Sequence, residues 1–234
     1  MEEIISGALY LVSTPIGNLA DISFRAVHIL KNVDFIAAED KRTTAILLKH
    51  YLIKKQMIPF HSYNQKKQTP QIIAKLKNNN SAALVSDAGT PGISDPAYEL
   101  VKECVNQKIK IIPIPGASAL LASLVVSGLP VNRFVFEGFL PLKKGRQKRI
   151  QELSQEKRTL VFYESPYRIL KTVTQLHEIF GNRRAVLGRE ITKMFEEFLR
   201  GNLSDLMKHI EKKQLKGEIV LIVEGAGSLE KNLS

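Results

Sequence analysis

Short apolar runs alternate with helix-period segments through the first half of this chain. The runs fall at residues 8–12, 35–38, 57–60, 82–85 and 110–114. Between them lie helical patterns. One is capped by Asp21 or Ser23, with Phe24, Val27 and Leu30 on its apolar side, and another begins near Thr43. Further helices cover residues 71–76 (closed by three asparagines) and 97–106, and one opens at Pro115 and runs to about Ser127. Apolar runs this short and this continuous suit strands buried on both faces. Strand and helix in strict alternation call for a parallel sheet covered by helices on both sides.

Gly128, Pro130 and Asn132 then break the pattern. A second set follows, with strands at 134–137, 160–163, 185–188, 195–199 and 219–223 and helices at 144–153, 169–180 and 203–213. Two strands in succession there indicate a mixed sheet. The expected fold class is α/β in two domains, an N-terminal parallel-sheet domain over residues 1–128 and a C-terminal mixed-sheet domain over 129–234. From Gly225 the chain reads as a frayed tail.

The stretch SDAGTPGISDP, residues 86–96, joins a strand to a helix through Gly89, Thr90, Pro91, Gly92 and Ser94. Asp95 is a natural N-cap and Pro96 suits the first helical position. Open α/β sheets bind ligands at the carboxyl ends of their strands, although an ordinary strand-to-helix turn has the same composition. Three other strand ends carry distinctive loops: STPIGNLAD (13–21), EDKRTT (39–44) and PGASA (115–119). Neither GxxxxGK[ST] nor a GxGxxG after the first strand is present, which argues against a P-loop nucleotidase and a dinucleotide site. A phosphate at the helix start near Ser118 stays open. In the second half, YESPYR (163–168) and GREITKMFEE (188–197) also follow apolar runs. The latter fits either a ligand-facing strand end or a surface helix with ion pairs.

The formal net charge is +11, which favours a polyanionic partner. LKKGRQKR, residues 142–149, is the clearest phosphate-reaching stretch, and Tyr63 with Lys66 and Lys67 is placed to stack a base. A hydrophobic content of 44% fits a globular protein, and the longest apolar run is too short to span a bilayer. The N-terminal MEEIISG is acidic and does not read as a secretory signal. The single cysteine, Cys104, fits a reducing cytoplasm and reads as a small buried apolar residue. No metal is expected, since no Cys/His cluster has ligand spacing.

Taken together, STPIGNLADISFRA, AAEDKRT, SDAGTPGISDPAYELV, PIPGASA, FEGFLP, FYESPYR, REITKMFEE and KGEIVLI resemble, in order, the motifs of the tetrapyrrole methylase superfamily. They resemble more closely its ribosomal RNA small-subunit methyltransferase branch, whose members 2′-O-methylate a cytidine ribose in 16S rRNA. Lys41 stands where that branch has threonine, and Ala117 where it has proline. The resemblance implies a cytoplasmic homodimer using S-adenosylmethionine in a cleft between two domains, with 16S rRNA or the small subunit as partner. It carries cofactor contacts onto Pro15, Thr90, Ile93, Ser118, Ala119, Tyr163, Gly188 and Gly217. Lys193 with Glu190, and Asp40 with Glu39, are the candidates for activating the hydroxyl. Arg42, Lys143, Lys144, Arg146, Arg168 and Arg189 are the candidate RNA contacts, with Glu164 holding Arg168. A tetrapyrrole C-methyltransferase of the same superfamily and a non-catalytic RNA-binding assembly factor are the alternatives.

Overall fold

The structure, a computed structural model, describes residues 3–213 and 215–227. The chain divides into two compact units, Met1–Ser118 and Ala119–Ser234. The first holds β1 (Leu9–Val12), α1 (Phe24–Asn32), β2 (Phe35–Ala38), α2 (Lys41–His50) and β3 (Gln56–Pro59), then α3 (Gln65–Lys77), β4 (Ala82–Val85), α4 (Ala97–Asn106) and β5 (Ile111–Ile114). Its sheet runs β3-β2-β4-β1-β5, every pairing parallel. Alternate side chains sort to opposite faces, as the pleat requires. Tyr10, Val12, Ile36, Ala83 and Val85 pack with α1 and α2. Leu9, Phe35, Ala37 and Leu84 pack with α3 and α4.

Local chemistry sets the helix starts. The Ser23 side chain accepts from the Ala26 amide and caps α1. Phe24 lies on the outside, 95% exposed, and Ala26, Ile29 and Leu30 form the buried side instead. Asp40 caps α2 by accepting from the Arg42 amide, so that helix starts before Thr43. The expected helix at 71–76 is the second half of α3. Its first half is masked in the sequence because Pro70 and a polar inward stripe hide the period.

The second unit comprises α5 (Ala119–Val125), β6 (Phe134–Phe139), α6 (Arg146–Leu153), β7 (Thr159–Glu164), α7 (Ile169–Phe180), β8 (Arg184–Arg189), β9 (Glu197–Asn202), α8 (Leu203–Lys212) and β10 (Ile219–Val223). Its sheet runs β6-β7-β10-β8-β9, parallel only between β6 and β7. One core joins this sheet to α6, α7 and α8. The division between units comes before α5 rather than at Leu129, because α5 packs on β10. Gly225 and Ala226 are tied down, not frayed. A Cβ at Gly225 would strike the Lys157 carbonyl, and the Ala226 amide donates to Glu156. The rest of the expected tail, residues 228–234, lies outside the described residues. Among the described residues no helix is long and apolar enough to cross a membrane.

Candidate functional site

In the first unit the loops after β1, β4 and β5 interlock at one edge of the sheet. The Thr14 and Gly89 backbones exchange hydrogen bonds of 2.9 and 3.1 Å, and the Ser13 and Thr90 hydroxyls lie 2.9 Å apart. A Cβ on Gly116 would come within 2.9 Å of the Ser13 Cβ, so only glycine lets the β5 loop pass this close. Gly89, at φ +79°, makes the turn that brings Thr90 to Ser13. Pro15 is buried in this contact, whereas Ile93 is exposed on the loop. The Asp95 carboxylate accepts from the amides of Gly92 and Ala97 at 2.8 and 2.9 Å, closing the loop onto α4. The N-cap is Pro96 rather than the expected Asp95, and Asp95, one position outside it, satisfies the Ala97 amide from there. Small residues, close backbones and paired hydroxyls suit the folded polar body of S-adenosylmethionine.

The β2 and β4 ends carry carboxylates in different states. The Asp40 amide donates to Asp87 at 3.0 Å and the Asp87 amide to Glu39 at 3.2 Å. Asp40 also takes a bidentate pair from Arg42, whose hydrogen bonds hold its pKa down at about 2. A carboxylate held so low is a poor proton acceptor. Burial pushes Glu39 up, against the Asp87 amide bond, and the nearby Asp87 and Asp95 charges push it further. Asp87 itself is raised, first by burial. Sequence reasoning missed Asp87, although it stands in the SDAGTPGISDP stretch, residues 86–96.

It also missed the polar half of α3. Ile72, Ile73 and Leu76 are buried in the core, but one and two turns earlier the same stripe is Gln65, Gln68 and Thr69. The Oε1, Oε1 and Oγ1 atoms of these three, together with His61 Nδ1, are shut from water without a hydrogen-bond partner.

The second unit brings together Glu190, Lys193, Glu218 and Gly217. Lys193 Nζ donates to Glu190 Oε1 at 2.9 Å and to Glu218 Oε2 at 3.2 Å, while the Glu218 amide donates to Glu190 at 3.1 Å. Burial works against the Lys193 charge, but its bonds to two carboxylates outweigh burial and raise its pKa. Burial likewise opposes the Glu190 charge, and bonds from Lys193 and Glu218 lower its pKa on balance. The two carboxylates thus favour the charged form of Lys193. Sequence reasoning did not name Glu218, although it stands in KGEIVLI beside Gly217.

Two glycines expected against the cofactor have their side-chain space filled from within the unit. A Cβ at Gly188 would meet the Phe198 ring at 2.8 Å, and at Gly217 it would overlap the Glu190 carboxyl at 2.2 Å. Tyr163 is half-buried, its hydroxyl raised by burial against a backbone hydrogen bond from Leu120 on α5.

The basic residues divide by burial. Lys143 and Lys144 are exposed. Arg42 is exposed but committed to Asp40. Arg189 lies within 3.0 Å of Glu197 and donates to the Lys216 carbonyl. Glu164 does hold Arg168, at 3.3 Å, and Arg168 also donates to the Leu140 carbonyl. Arg146 corrects the sequence reading. It is 5% exposed and donates to Gln175, Thr172 and the Pro141 carbonyl, with Glu164 4.0 Å away. Its fork is spent inside the fold, out of reach of a phosphate.

Residues 8–207 match the model of the tetrapyrrole (corrin/porphyrin) methylases, and the chain belongs to that family. Within it, the chain is 50% identical over 222 residues to the ribosomal RNA small subunit methyltransferase I of Streptococcus pyogenes serotype M3, covering 94% of this chain and 77% of that one. The protein of that name from Thermotoga maritima is 47% identical over 219 residues, covering 94% of this chain and 99% of that one. Among solved structures, a cobalt precorrin-4 methyltransferase superposes with a TM-score of 0.70 at 13% identity, covering 93% of this chain and 95% of that one. A Thermus thermophilus uroporphyrin-III C-methyltransferase complexed with S-adenosyl homocysteine superposes with a TM-score of 0.67 at 16% identity, covering 93% and 97%. At those identities the structural likeness speaks for the fold.

Proposed function

We propose that this chain transfers a methyl group from S-adenosylmethionine to a cytidine ribose 2′-oxygen of 16S rRNA. The observation that carries the reading is the near-50% identity, sustained over 94% of the chain, to relatives named as small-subunit rRNA methyltransferases. The cofactor supplies an electrophilic methyl on a sulfonium, and the protein's task is mainly positioning. In the first unit Pro15, Thr90, Ile93 and Ser118 hold the cofactor; in the second, Ala119, Tyr163, Gly188 and Gly217 line it, the two glycines through their backbones.

A ribose hydroxyl must lose its proton as the O–CH₃ bond forms and the S–CH₃ bond breaks. Glu39 takes that proton, because its raised pKa makes it a better acceptor than Asp40. Asp40 acts by capping α2 and fixing the Glu39–Asp87 link. Lys193, kept charged by Glu190 and Glu218, stabilises the developing alkoxide. Lys143 and Lys144 meet RNA phosphates, and the protein works as a cytoplasmic homodimer.

The test offers tritiated S-adenosylmethionine with small ribosomal subunits from cells lacking the modification, and with a precursor tetrapyrrole in parallel. Label in 16S rRNA that resists alkali at one ribose is the expected result. Label in the tetrapyrrole alone overturns the RNA reading, and cofactor binding with no transfer to either substrate overturns the assignment of substrate.

A further inference from the structure

The β6–α6 connection of the second unit bounds a cavity of about 430 Å³. Phe139 and Pro141 supply apolar wall, Lys148 and Arg149 cations, and Glu137 and Glu152 carboxylates. Phe139 is 54% exposed, an unusual place for a phenyl ring at the end of a strand. It is braced from behind by Tyr163, whose ring lies 5.8 Å away in a tilted arrangement. Arg149 donates to both Glu137 oxygens at 2.9 and 2.7 Å and to Glu152 at 3.1 Å, so both carboxylates are held in place by one shared cation. Lys143 and Lys144 on this connection and Lys148 on α6 are exposed and leave the surroundings with an excess of positive charge.

An open hollow with a braced aromatic face, fixed acceptors and a lysine rim matches the parts of one unstacked nucleotide. The ring stacks the base, the carboxylates accept from base amino groups, and the lysines meet the flanking phosphates. We propose that this cavity is a subsite for a single-stranded RNA nucleotide, stacked on Phe139 and gripped by Lys148. The subsite rests on the RNA reading above. It differs from the phosphate contacts expected of Lys143 and Lys144, because it recognises a base.

The test measures binding of the full chain, without cofactor, to a fluorescent oligo(rC) and to an abasic ribose-phosphate oligomer of equal length. The wild type should prefer oligo(rC) by about tenfold, the size of one stacked base. Phe139→Ala should remove that preference and leave abasic binding unchanged. Lys148→Ala should weaken both oligomers and lower the salt slope by about one. Equal losses on both oligomers for Phe139→Ala, or no loss on either, overturn the subsite, and a thermal melt of each variant separates misfolding from lost contact. Failure of the RNA reading itself shows separately, as wild-type protein that binds neither oligomer.

Discussion

Arg146→Ala separates a structural arginine from an RNA-binding one. The guanidinium makes three hydrogen bonds, to Gln175 at 2.8 Å, Thr172 at 2.7 Å and the Pro141 carbonyl at 3.2 Å. Bonds from a charged donor contribute roughly 1.5 kcal/mol or more each, so their sum is about 4–5 kcal/mol. Truncation also relieves the cost of burying the cation, but it leaves Glu164, side chain 1% exposed, with one cation fewer. Breaking a buried pair this way costs about 3–5 kcal/mol. At a few degrees per kcal/mol, the unfolding transition of the second unit should fall by roughly 10 °C or more. Circular dichroism melts give that figure, and oligonucleotide anisotropy well below the transition gives RNA affinity, which should change less than about twofold. Lys143→Ala with Lys144→Ala should behave in the opposite sense, with an unchanged melt, weaker RNA binding and a shallower salt dependence. An unchanged melt for Arg146→Ala together with weakened RNA binding would refute the argument.

Gly217→Ala forces a Cβ into the Glu190 carboxyl at φ +87°. It should cost about 2–4 kcal/mol in a denaturant titration and cut methyl transfer through the displaced Glu190–Lys193 pair. Lys193→Met should lower turnover by at least about a hundredfold while the melt stays near wild type, and near-normal turnover would remove Lys193 from the chemistry. If Glu39 is the base, the acidic limb of the rate profile lies above the ordinary 4.5, because burial raises its pKa, and Glu39→Gln abolishes that limb. A limb near 2 would point to Asp40. The Asp40–Arg42 link gives the opposite sign in stability: it is present above the unfolded carboxylate pKa of 3.8 and lost as pH falls through about 2, a loss that Asp40→Asn should abolish in acid melts. Gln68→Leu replaces an unpaired buried oxygen with apolar volume, continues the Ile72 stripe and should raise stability by about 1 kcal/mol.

The alternation of apolar runs and helical periods was enough to order the elements and to give the parallel sheet. Phe35–Ala38, Ala82–Val85, Ala97–Asn106, Ile169–Phe180 and Ile219–Val223 stand where the period places them. Burial on both faces leaves a continuous apolar run, and a chain records that locally. The tertiary structure decided what depends on partners distant in sequence. Phe24 faces solvent although its spacing fits an apolar stripe, because the neighbouring Ala26, Ile29 and Leu30 are the residues that reach the sheet. The first half of α3 carries a polar inward stripe that no hydrophobic period reports. Composition groups Arg146 with Lys143 and Lys144 as one basic run, yet the start of α6 turns Arg146 inward to Thr172 and Gln175 on α7 and leaves the lysines in water. The same holds for the carboxylates. Glu39 and Asp40 are adjacent and chemically alike, and only the burial of Glu39 at the strand end, and the helix start that gives Asp40 to Arg42, drive their pKa values in opposite directions.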